Sequence, residues 1–234
     1  PPGERSKSWP QVRRLAGELL KQGAHRQSLL VALGGGVVGD LTGLLASLFM
    51  RGLPLVQVPT TLLAMVDAAI GGKTAINLPE GKNLLGTFHH PRLVLIDPEF
   101  LRTLPLRERL NGWAEVLKAG FIRDKGLLAE ISGAGPGIFQ DQDRLTDIIA
   151  RAARIKVDIV ALDAREAGLR RLLNFGHTLG HALEAASGFR LPHGRGVALG
   201  MLAALRLSEA LTGLTPEESR VGRDLIQGFG YTRR

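Results

Sequence analysis

Three histidines carry the strongest chemical signal in this sequence of 234 residues. His177 and His181 are four residues apart in NFGHTLGHALEA (174–185), so they share one face of a helix, and His193 follows in LPHGRG. This spacing favours a zinc site or an acid–base pair, and two imidazoles with one carboxylate would leave a metal position open to a substrate oxygen. Thr178 stands where the HExxH motif of metalloproteases has its glutamate, which disfavours protease chemistry. The spacing alone leaves open which histidines bind the metal.

Two groups of polar residues upstream of His177 could each be part of a site or lie on the surface. Glu115 and Lys118 are three residues apart on a predicted helix, and on these residues alone an ordinary surface ion pair is favoured. Arg170, Arg171 and Asn174 precede His177, where they either bind a carboxylate or are simply solvated.

The segment DAAIGGKTAINLPEGKN (67–83) places lysines and amides beside glycines, as phosphate binding requires. Asp67 stands where a Walker A loop has its first glycine, so ATP hydrolysis is disfavoured. The alternative to a phosphate site is a solvated surface loop.

A glycine-rich turn occurs in VALGGGVVGD (31–40), where Gly34, Gly36 and Gly39 match the spacing of a dinucleotide fingerprint. The acidic residue expected about twenty positions later is missing, because 55–62 reads LVQVPTTL. A turn whose glycines only pack is therefore the alternative.

Hydrophobic periodicity predicts the elements that must position these groups. In the first half, buried parallel strands at 28–33, 53–58 and 93–96 alternate with helices at 11–23 and 40–50. In the second half, helices are predicted at 106–123, 143–162, 169–187 and 195–212. The sequence thus predicts an α/β half followed by an all-α half, with a boundary near residue 106.

The composition excludes several classes of protein. With no cysteine, the chain has no disulfide and no thiolate nucleophile. Basic residues are scattered and aromatic residues are only 5%, so the net charge of +8 favours an anionic metabolite over nucleic acid. The apolar stretches 41–50 and 55–66 are too short or too broken to span a membrane, and the polar start PPGERSKSWP shows no signal peptide. We therefore expect a cytoplasmic protein without nucleic-acid or membrane partners.

The motifs together resemble the 3-dehydroquinate synthase family of the sugar phosphate cyclase superfamily, from about Gly3 to Leu211. The matching segments are GGGVVGDLTG, MRG, VPTTLLAMVDAAIGGKTAINLPEGKNLLG, AEVLKAG, REAGLRRLLNFGHTLGHALEA and LPHGRGVALGM. The resemblance implies a Rossmann-like NAD-binding α/β domain (1–106, partial), a helical metal- and substrate-binding domain (107–234, partial) and a homodimer.

The resemblance also implies roles for individual residues. Zinc, with cobalt as the alternative metal, would be held by Glu115, His177 and His193. The anionic sugar-phosphate substrate would contact His181, Lys73 and Asn83 at its phosphate, and its hydroxyls and carboxylate would contact Lys118, Lys156, Arg170 and Asn174. Asp67 would lie beside these four residues, and Arg51 would reach a partner subunit's site. NAD would contact Glu4, Lys7, Gly35, Gly36, Val37, Asp40, Thr60, Thr61, Lys73 and Lys82.

The implied reaction converts 3-deoxy-D-arabino-heptulosonate 7-phosphate to 3-dehydroquinate and phosphate in the shikimate pathway. It proceeds by transient oxidation by NAD, phosphate elimination, re-reduction and intramolecular aldol closure. The alternatives are a valiolone- or inosose-forming cyclase and an inactive metabolite-binding fragment. Family members have a strand and helix upstream and further helices downstream, so we expect this chain to bind NAD poorly.

Overall fold

The computed structural model describes residues 3–232, and the chain divides into two compact units between Leu104 and Pro105. We refer to them as the N-terminal unit and the C-terminal unit. The functions of the two units stay a prediction, which assigns NAD binding to residues 1–106 and metal and substrate binding to residues 107–234.

The N-terminal unit contains a parallel sheet of β1 (Leu30–Gly34), β2 (Leu55–Pro59) and β5 (Leu93–Val94), with β2 in the middle, while two further strands form a separate hairpin. Leu30 pairs with Leu55 and Gly34 with Pro59, so β1 and β2 end at the same edge. The helices that share a core with this sheet are α1 (Trp9–Lys21) and α2 (Gly36–Leu48).

The prediction of a parallel strand at 28–33 is confirmed, but this strand is buried on one face only. Side chains alternate between the faces of a strand, and only Leu30 and Ala32 join the core with α1 and α2. Val31 and Leu33, on the opposite face, are more than half exposed.

The segment 67–83, for which the alternatives are a phosphate site and a solvated surface loop, lies partly in an antiparallel hairpin of β3 (Lys73–Leu78) and β4 (Gly81–Phe88). Thr74 and Ile76 are buried while the residues between and beside them are not, which is the period of two that a strand requires. A Cβ at Gly43 of α2 would lie 2.4 Å from Thr74, so the hairpin packs directly on that helix.

The C-terminal unit is helical, and no strand occurs among its described residues, 105–232. This confirms the prediction of an α/β half followed by an all-α half. The sequence reading missed α4 and α8. The helices are α3 (Leu106–Arg123), α4 (Lys125–Ala134), α5 (Gln142–Leu162), α6 (His177–Ala186), α7 (His193–Leu211) and α8 (Pro216–Gly228). Within residues 3–232, no helix combines the length and apolar content that crossing a bilayer requires.

The helix predicted over 169–187 is interrupted. Leu169–Asn174 forms a 3₁₀ turn, and α6 begins at His177 after Gly176, whose φ is 79°. A side chain is strained at this φ, and a Cβ there would lie 2.7 Å from the carbonyl oxygen of Val197. The break therefore follows from the close approach of α7.

Candidate functional site

Glu115, His177 and His193 come together in the C-terminal unit from α3, α6 and α7. Oε1 of Glu115 lies 3.5 Å from Nε2 of His177 and 3.2 Å from Nε2 of His193. Two ligands of a tetrahedral zinc ion with bonds of about 2.0–2.1 Å are about 3.3 Å apart. The carboxylate and the two imidazoles therefore have both the chemistry and the spacing of a zinc donor set.

The second ring nitrogen of each histidine has a hydrogen-bond acceptor. Nδ1 of His177 donates to the carbonyl oxygen of Phe175 at 3.3 Å, and Nδ1 of His193 donates to Oε1 of Glu184 at 2.9 Å. Histidines that bind metals commonly have this second contact, which fixes the tautomer and the ring. In both rings Nε2 is therefore the nitrogen that faces Glu115.

Glu115 and Lys118 form a buried ion pair, with 3% of each residue exposed. The interpretation as an ordinary surface pair is therefore wrong. Burial alone would raise the pKa of Glu115, but Lys118, His193 and His177 hold that pKa well below its ordinary value. Glu115 is thus an anion available to a cation.

His193 lies between two carboxylates. Burial would lower the pKa of His193, but the hydrogen bonds with Glu115 and Glu184 outweigh it and raise the pKa to about 10. Without a metal, His193 therefore holds a proton, which a metal at Nε2 would have to displace.

Close packing of α6 on α7 brings His177 near His193. A Cβ at Gly200 would lie 1.8 Å from the carbonyl oxygen of Gly176, and one at Gly180 would lie 3.0 Å from the carbonyl of Gly196. The glycines therefore permit a contact between backbones that larger residues would prevent.

His181 is exposed one turn after His177, and the centres of the two rings are 5.2 Å apart. With Glu184 and His193 it forms a second set of possible ligands within 4.8 Å of one another. The structure thus brings all three histidines together, and its geometry admits either His177 or His181 beside His193.

A loop after α5 organises the residues expected to bind a carboxylate. The Asp163 carboxylate accepts from the amides of Ala167, Gly168 and Arg170 at 2.7–3.0 Å, and these bonds lower the pKa of Asp163. Arg170 is buried and donates to the carbonyl of Ala164.

Two other residues of this group differ in exposure. Asn174 is exposed and donates to Glu166 at 2.9 Å, whereas Lys156 is buried on α5. Arg171 is exposed, as the solvated alternative requires.

In the N-terminal unit, the structure brings Lys7, Asp40 and Asn83 together. Nζ of the buried Lys7 donates to Asp40 at 2.6 Å and to Asn83 at 2.5 Å. Glu4 lies beside them, since its carboxylate is 3.7 Å from Lys7 and accepts from Asn77 at 2.8 Å. The pKa of Asp40 is raised, because the effect of burial exceeds the opposing effect of Lys7.

The glycine turn lies at the carboxyl edge of the sheet, between β1 and α2. A Cβ at Gly35 would lie 3.0 Å from Thr61, one at Gly36 3.2 Å from Ala68, and one at Gly39 2.8 Å from Gln57. The amide of Thr60 bonds to the carbonyl of Gly34. The turn therefore packs tightly at the edge where ligands of parallel α/β sheets bind.

The remaining predicted residues occupy separate places in the N-terminal unit. Val37 is in the first turn of α2, and Arg51 is exposed after that helix. Asp67 lies in a π-helical turn (Ala64–Ala68), while Lys73 begins β3 and Lys82 is the second residue of β4.

Sequence reasoning missed three residues that hydrogen-bond to the predicted site residues or to their loop. They are Glu184 beside His193, Asp163 in the loop of Arg170, and Asn77 beside Glu4. Glu184 is detectable in principle because it lies seven residues after His177 on the same helix face. Asp163 follows the last residue of a predicted helix, and aspartate commonly accepts from the amides of a following turn, but nothing in the sequence marks which amides these are.

Comparisons with known proteins cover the whole chain. The family model for the N-terminal part of 3-dehydroquinate synthase matches residues 1–111, and the model for its C-terminal part matches residues 112–234. The 3-dehydroquinate synthase of Gloeobacter violaceus is 52% identical over 227 residues, which are 97% of this chain and 63% of that protein. The chain thus spans less than two thirds of this relative's length.

Two solved structures have a similar fold over nearly all of the chain. ValA, a 2-epi-5-epi-valiolone synthase from Streptomyces hygroscopicus with NAD⁺ and Zn²⁺ bound, is 34% identical with a TM-score of 0.91, over 97% of this chain and 64% of that one. A 2-deoxy-scyllo-inosose synthase complexed with carbaglucose-6-phosphate, NAD⁺ and Co²⁺ is 28% identical with a TM-score of 0.90, over 99% and 63%.

Proposed function

Because the chain belongs to the 3-dehydroquinate synthase family, we propose that it carries the metal centre and part of the NAD site of that lyase. The enzyme would convert 3-deoxy-D-arabino-heptulosonate 7-phosphate to 3-dehydroquinate and phosphate. The observation that carries this proposal is the set of Glu115, His177 and His193, spaced as zinc ligands are.

The proposed metal ligands are Glu115, His177 and His193, with zinc as the metal and cobalt as its alternative. The cations bound to the two similar cyclases support this choice. Zinc polarises a substrate hydroxyl when it is bound, and NAD accepts and returns a hydride. Lys118 keeps Glu115 ionised, so the carboxylate is ready to hold the cation.

The substrate carries a carboxylate and a phosphate, which the proposed residues would bind separately. Arg170 and Asn174, with Lys118 and Lys156, would hold the carboxylate and the hydroxyls, and Asp67 would lie beside them. Lys73 and Asn83 would bind the phosphate, as would His181. Orientation of both anionic ends is the main contribution of these side chains to the reaction.

For NAD, we propose two groups of contacts in the N-terminal unit. Gly35, Gly36 and Asp40, with Thr60 and Thr61, would line the pyrophosphate and nicotinamide. Further contacts with the dinucleotide would come from Glu4, Lys7, Val37, Lys73 and Lys82. The position of the turn at the carboxyl edge of parallel strands supports this assignment.

We also propose the organisation that the resemblance implies. The N-terminal domain (1–106) would bind NAD and the C-terminal domain (107–234) the metal and substrate, in a cytoplasmic homodimer. Arg51, exposed after α2, would reach the partner subunit's site.

The test is release of phosphate from 3-deoxy-D-arabino-heptulosonate 7-phosphate by the 234-residue chain with NAD and zinc. We expect a chelator or His177→Ala to abolish release, and His25→Ala, at an exposed histidine of the N-terminal unit, to leave it unchanged. Activity retained in His177→Ala would remove the zinc assignment, and bound zinc without turnover would indicate an inactive metabolite-binding fragment.

A second candidate is another sugar phosphate cyclase, because the similar structures are valiolone and inosose synthases. This alternative implies a sugar phosphate substrate without the carboxylate that Arg170 and Asn174 are proposed to bind. Comparison of turnover with and without that carboxylate separates the two functions.

A further inference from the structure

We propose that Glu184 is a positioning residue of the metal centre, which holds the ring of His193 so that Nε2 is directed at the cation. This inference rests on the proposed function, since it assumes that His193 binds the metal. Glu184 would contact neither the metal nor the substrate. It would act through its hydrogen bond to His193, and its negative charge would add to that effect.

The geometry around His193 carries the proposal. Nδ1 of His193 is 2.9 Å from Oε1 of Glu184, while Nε2 is 3.2 Å from Oε1 of Glu115. One carboxylate thus lies at each nitrogen of the ring. Because Nδ1–H donates a hydrogen bond to Glu184, Nε2 is the nitrogen that would bind the metal once its own proton is displaced.

Glu184 is itself held in place by packing. Only 5% of the residue is exposed. A Cβ at Gly196 would lie 3.3 Å from its Cγ and 3.5 Å from its Oε1, so the glycine leaves the space that this side chain occupies between α6 and α7. A carboxylate confined in this way fixes the ring orientation of its partner more strongly than a mobile one.

The two histidines differ in what holds Nδ1. For His177 the acceptor is the neutral carbonyl of Phe175 at 3.3 Å, whereas for His193 it is a charged carboxylate at a shorter distance. A charge-assisted hydrogen bond is roughly twice as strong as a neutral one. We therefore expect His193 to depend on its second contact more than His177 does.

Glu184 also balances charge around the cation. The buried ammonium of Lys118 pairs with Glu115 and opposes a second positive charge nearby. The carboxylate of Glu184, on the far side of His193, offsets that repulsion.

A second cation between His181, Glu184 and His193 is the competing explanation for this cluster. It would require Nδ1 of His193 to bind metal rather than donate a proton. The 2.9 Å separation from Glu184 is an ordinary hydrogen-bond length and is shorter than the roughly 3.3 Å between two ligands of one tetrahedral zinc ion. The geometry favours the hydrogen bond.

The experiment measures zinc affinity and stoichiometry of the full 234-residue chain by competition with a chromophoric chelator. We expect Glu184→Ala to weaken zinc binding about 10–100-fold, the usual effect of losing such a contact. Glu184→Gln, which keeps the shape and an acceptor oxygen, should recover part of the loss. Glu209→Ala is the matched control, because it removes a carboxylate from the far end of α7, where Glu209 pairs with Arg223.

A spectroscopic readout separates positioning from a general loss of stability. In the cobalt-loaded protein, the Nδ1 protons of the two bound histidines give exchangeable, hyperfine-shifted proton signals. Glu184→Ala should lose the signal of His193 and keep that of His177, which serves as an internal reference.

Distinct results would overturn the proposal. If Glu184→Ala binds zinc as tightly as the parent, or if Glu184→Gln binds it as weakly as Glu184→Ala, the positioning role is excluded and the proposed metal centre is not affected. If the parent binds two equivalents of zinc and Glu184→Ala binds one, Glu184 is a ligand of a second metal site instead of a positioning residue. A parent chain that binds no zinc would overturn both this inference and the proposed metal centre.

Discussion

The two units each assemble a charged group from distant parts of the sequence, but they do so differently. In the N-terminal unit, Lys7 lies in an irregular segment, Asp40 in a helix and Asn83 in a hairpin. Lys7 donates hydrogen bonds to both of the other residues. In the C-terminal unit, the charged residues Glu115 and Lys118 sit with His177 and His193 on helices.

The difference lies in what each group still needs. Lys7 is matched by Asp40 and Asn83, so the first group is balanced without a ligand. The second group places two imidazoles around one buried carboxylate and holds a proton on His193, which a divalent cation can replace. Of these two groups, the helical one therefore has the electrostatics of a cation site.

The largest effect is expected from a substitution that disrupts the contact between α6 and α7, the helices that carry His177 and His193. Gly200→Ala places a Cβ 1.8 Å from the carbonyl oxygen of Gly176, so α6 must move away from α7. We expect a loss of about 3 kcal/mol in the free energy of unfolding, at the upper end of overpacking effects, and weaker zinc binding because His177 follows Gly176. Urea unfolding and zinc titration measure both.

The matched control for this substitution is Gly133→Ala in α4, where an added Cβ meets nothing within 4 Å. There we expect a gain of about 0.5–1 kcal/mol from helix propensity. If Gly200→Ala were as stable as the parent, the close contact between the helices would not be what positions the histidines.

An intermediate effect tests whether the first group is balanced. Lys7→Met leaves Asp40 without its cation, and we expect a cost of about 2 kcal/mol near neutral pH. This is less than for a fully buried pair, because Asp40 keeps 19% of its side chain exposed. Lys21→Met, which breaks an exposed pair with Glu18, should cost less than about 0.5 kcal/mol.

The pH dependence of Lys7→Met has a definite sign. Burial raises the pKa of Asp40, and removal of Lys7 raises it further. The folded state then binds a proton more readily than the unfolded state, so stability falls as the pH rises from the ordinary pKa of 3.8 through the raised value. Urea unfolding across this range should show a smaller cost of the substitution at low pH, and a cost independent of pH would contradict the burial of Asp40.

The smallest effect concerns the loop that carries Arg170. Asp163→Ala removes the acceptor of three backbone amides, and we expect faster amide hydrogen exchange at Ala167, Gly168 and Arg170. Asp158→Ala, at an exposed ion pair upstream, is the control and should leave these amides unchanged.

The effect of Asp163 also depends on pH. Its pKa is lowered by the amides, so its contribution is present above the ordinary value of 3.8 and is lost as the pH falls through the lowered pKa. Parent and variant should therefore exchange alike at sufficiently low pH, and equal rates at neutral pH would exclude this role of Asp163.

Much of the fold could be predicted from the sequence, because helix and strand periods are local properties. The strand–helix alternation before residue 104 and the helices after it are examples. The break at Gly176 could not be predicted in this way, since it depends on contact with α7. The signal that would have indicated it is the spacing of the glycines, which are four residues apart on each side of the contact, at 176 and 180 and at 196 and 200.

The candidate site was predictable in part. The spacing of His177 and His181 indicated a metal site, but it could not select the ligands, because Glu115 lies 62 residues upstream on another helix. The resemblance named that set, which stays a prediction. Burial of Glu115 with Lys118 and the support from Glu184 depend on tertiary packing, which no local pattern reports.

All proposed metal donors, and the acceptors behind the two histidines, belong to residues 115–193. The choice of cation would therefore be set by side chains of the C-terminal unit, apart from the residues of the N-terminal unit that are proposed to bind the dinucleotide. Substitutions in the parallel sheet change none of these donors or acceptors, so selection for metal preference and selection for NAD binding would act on different residues.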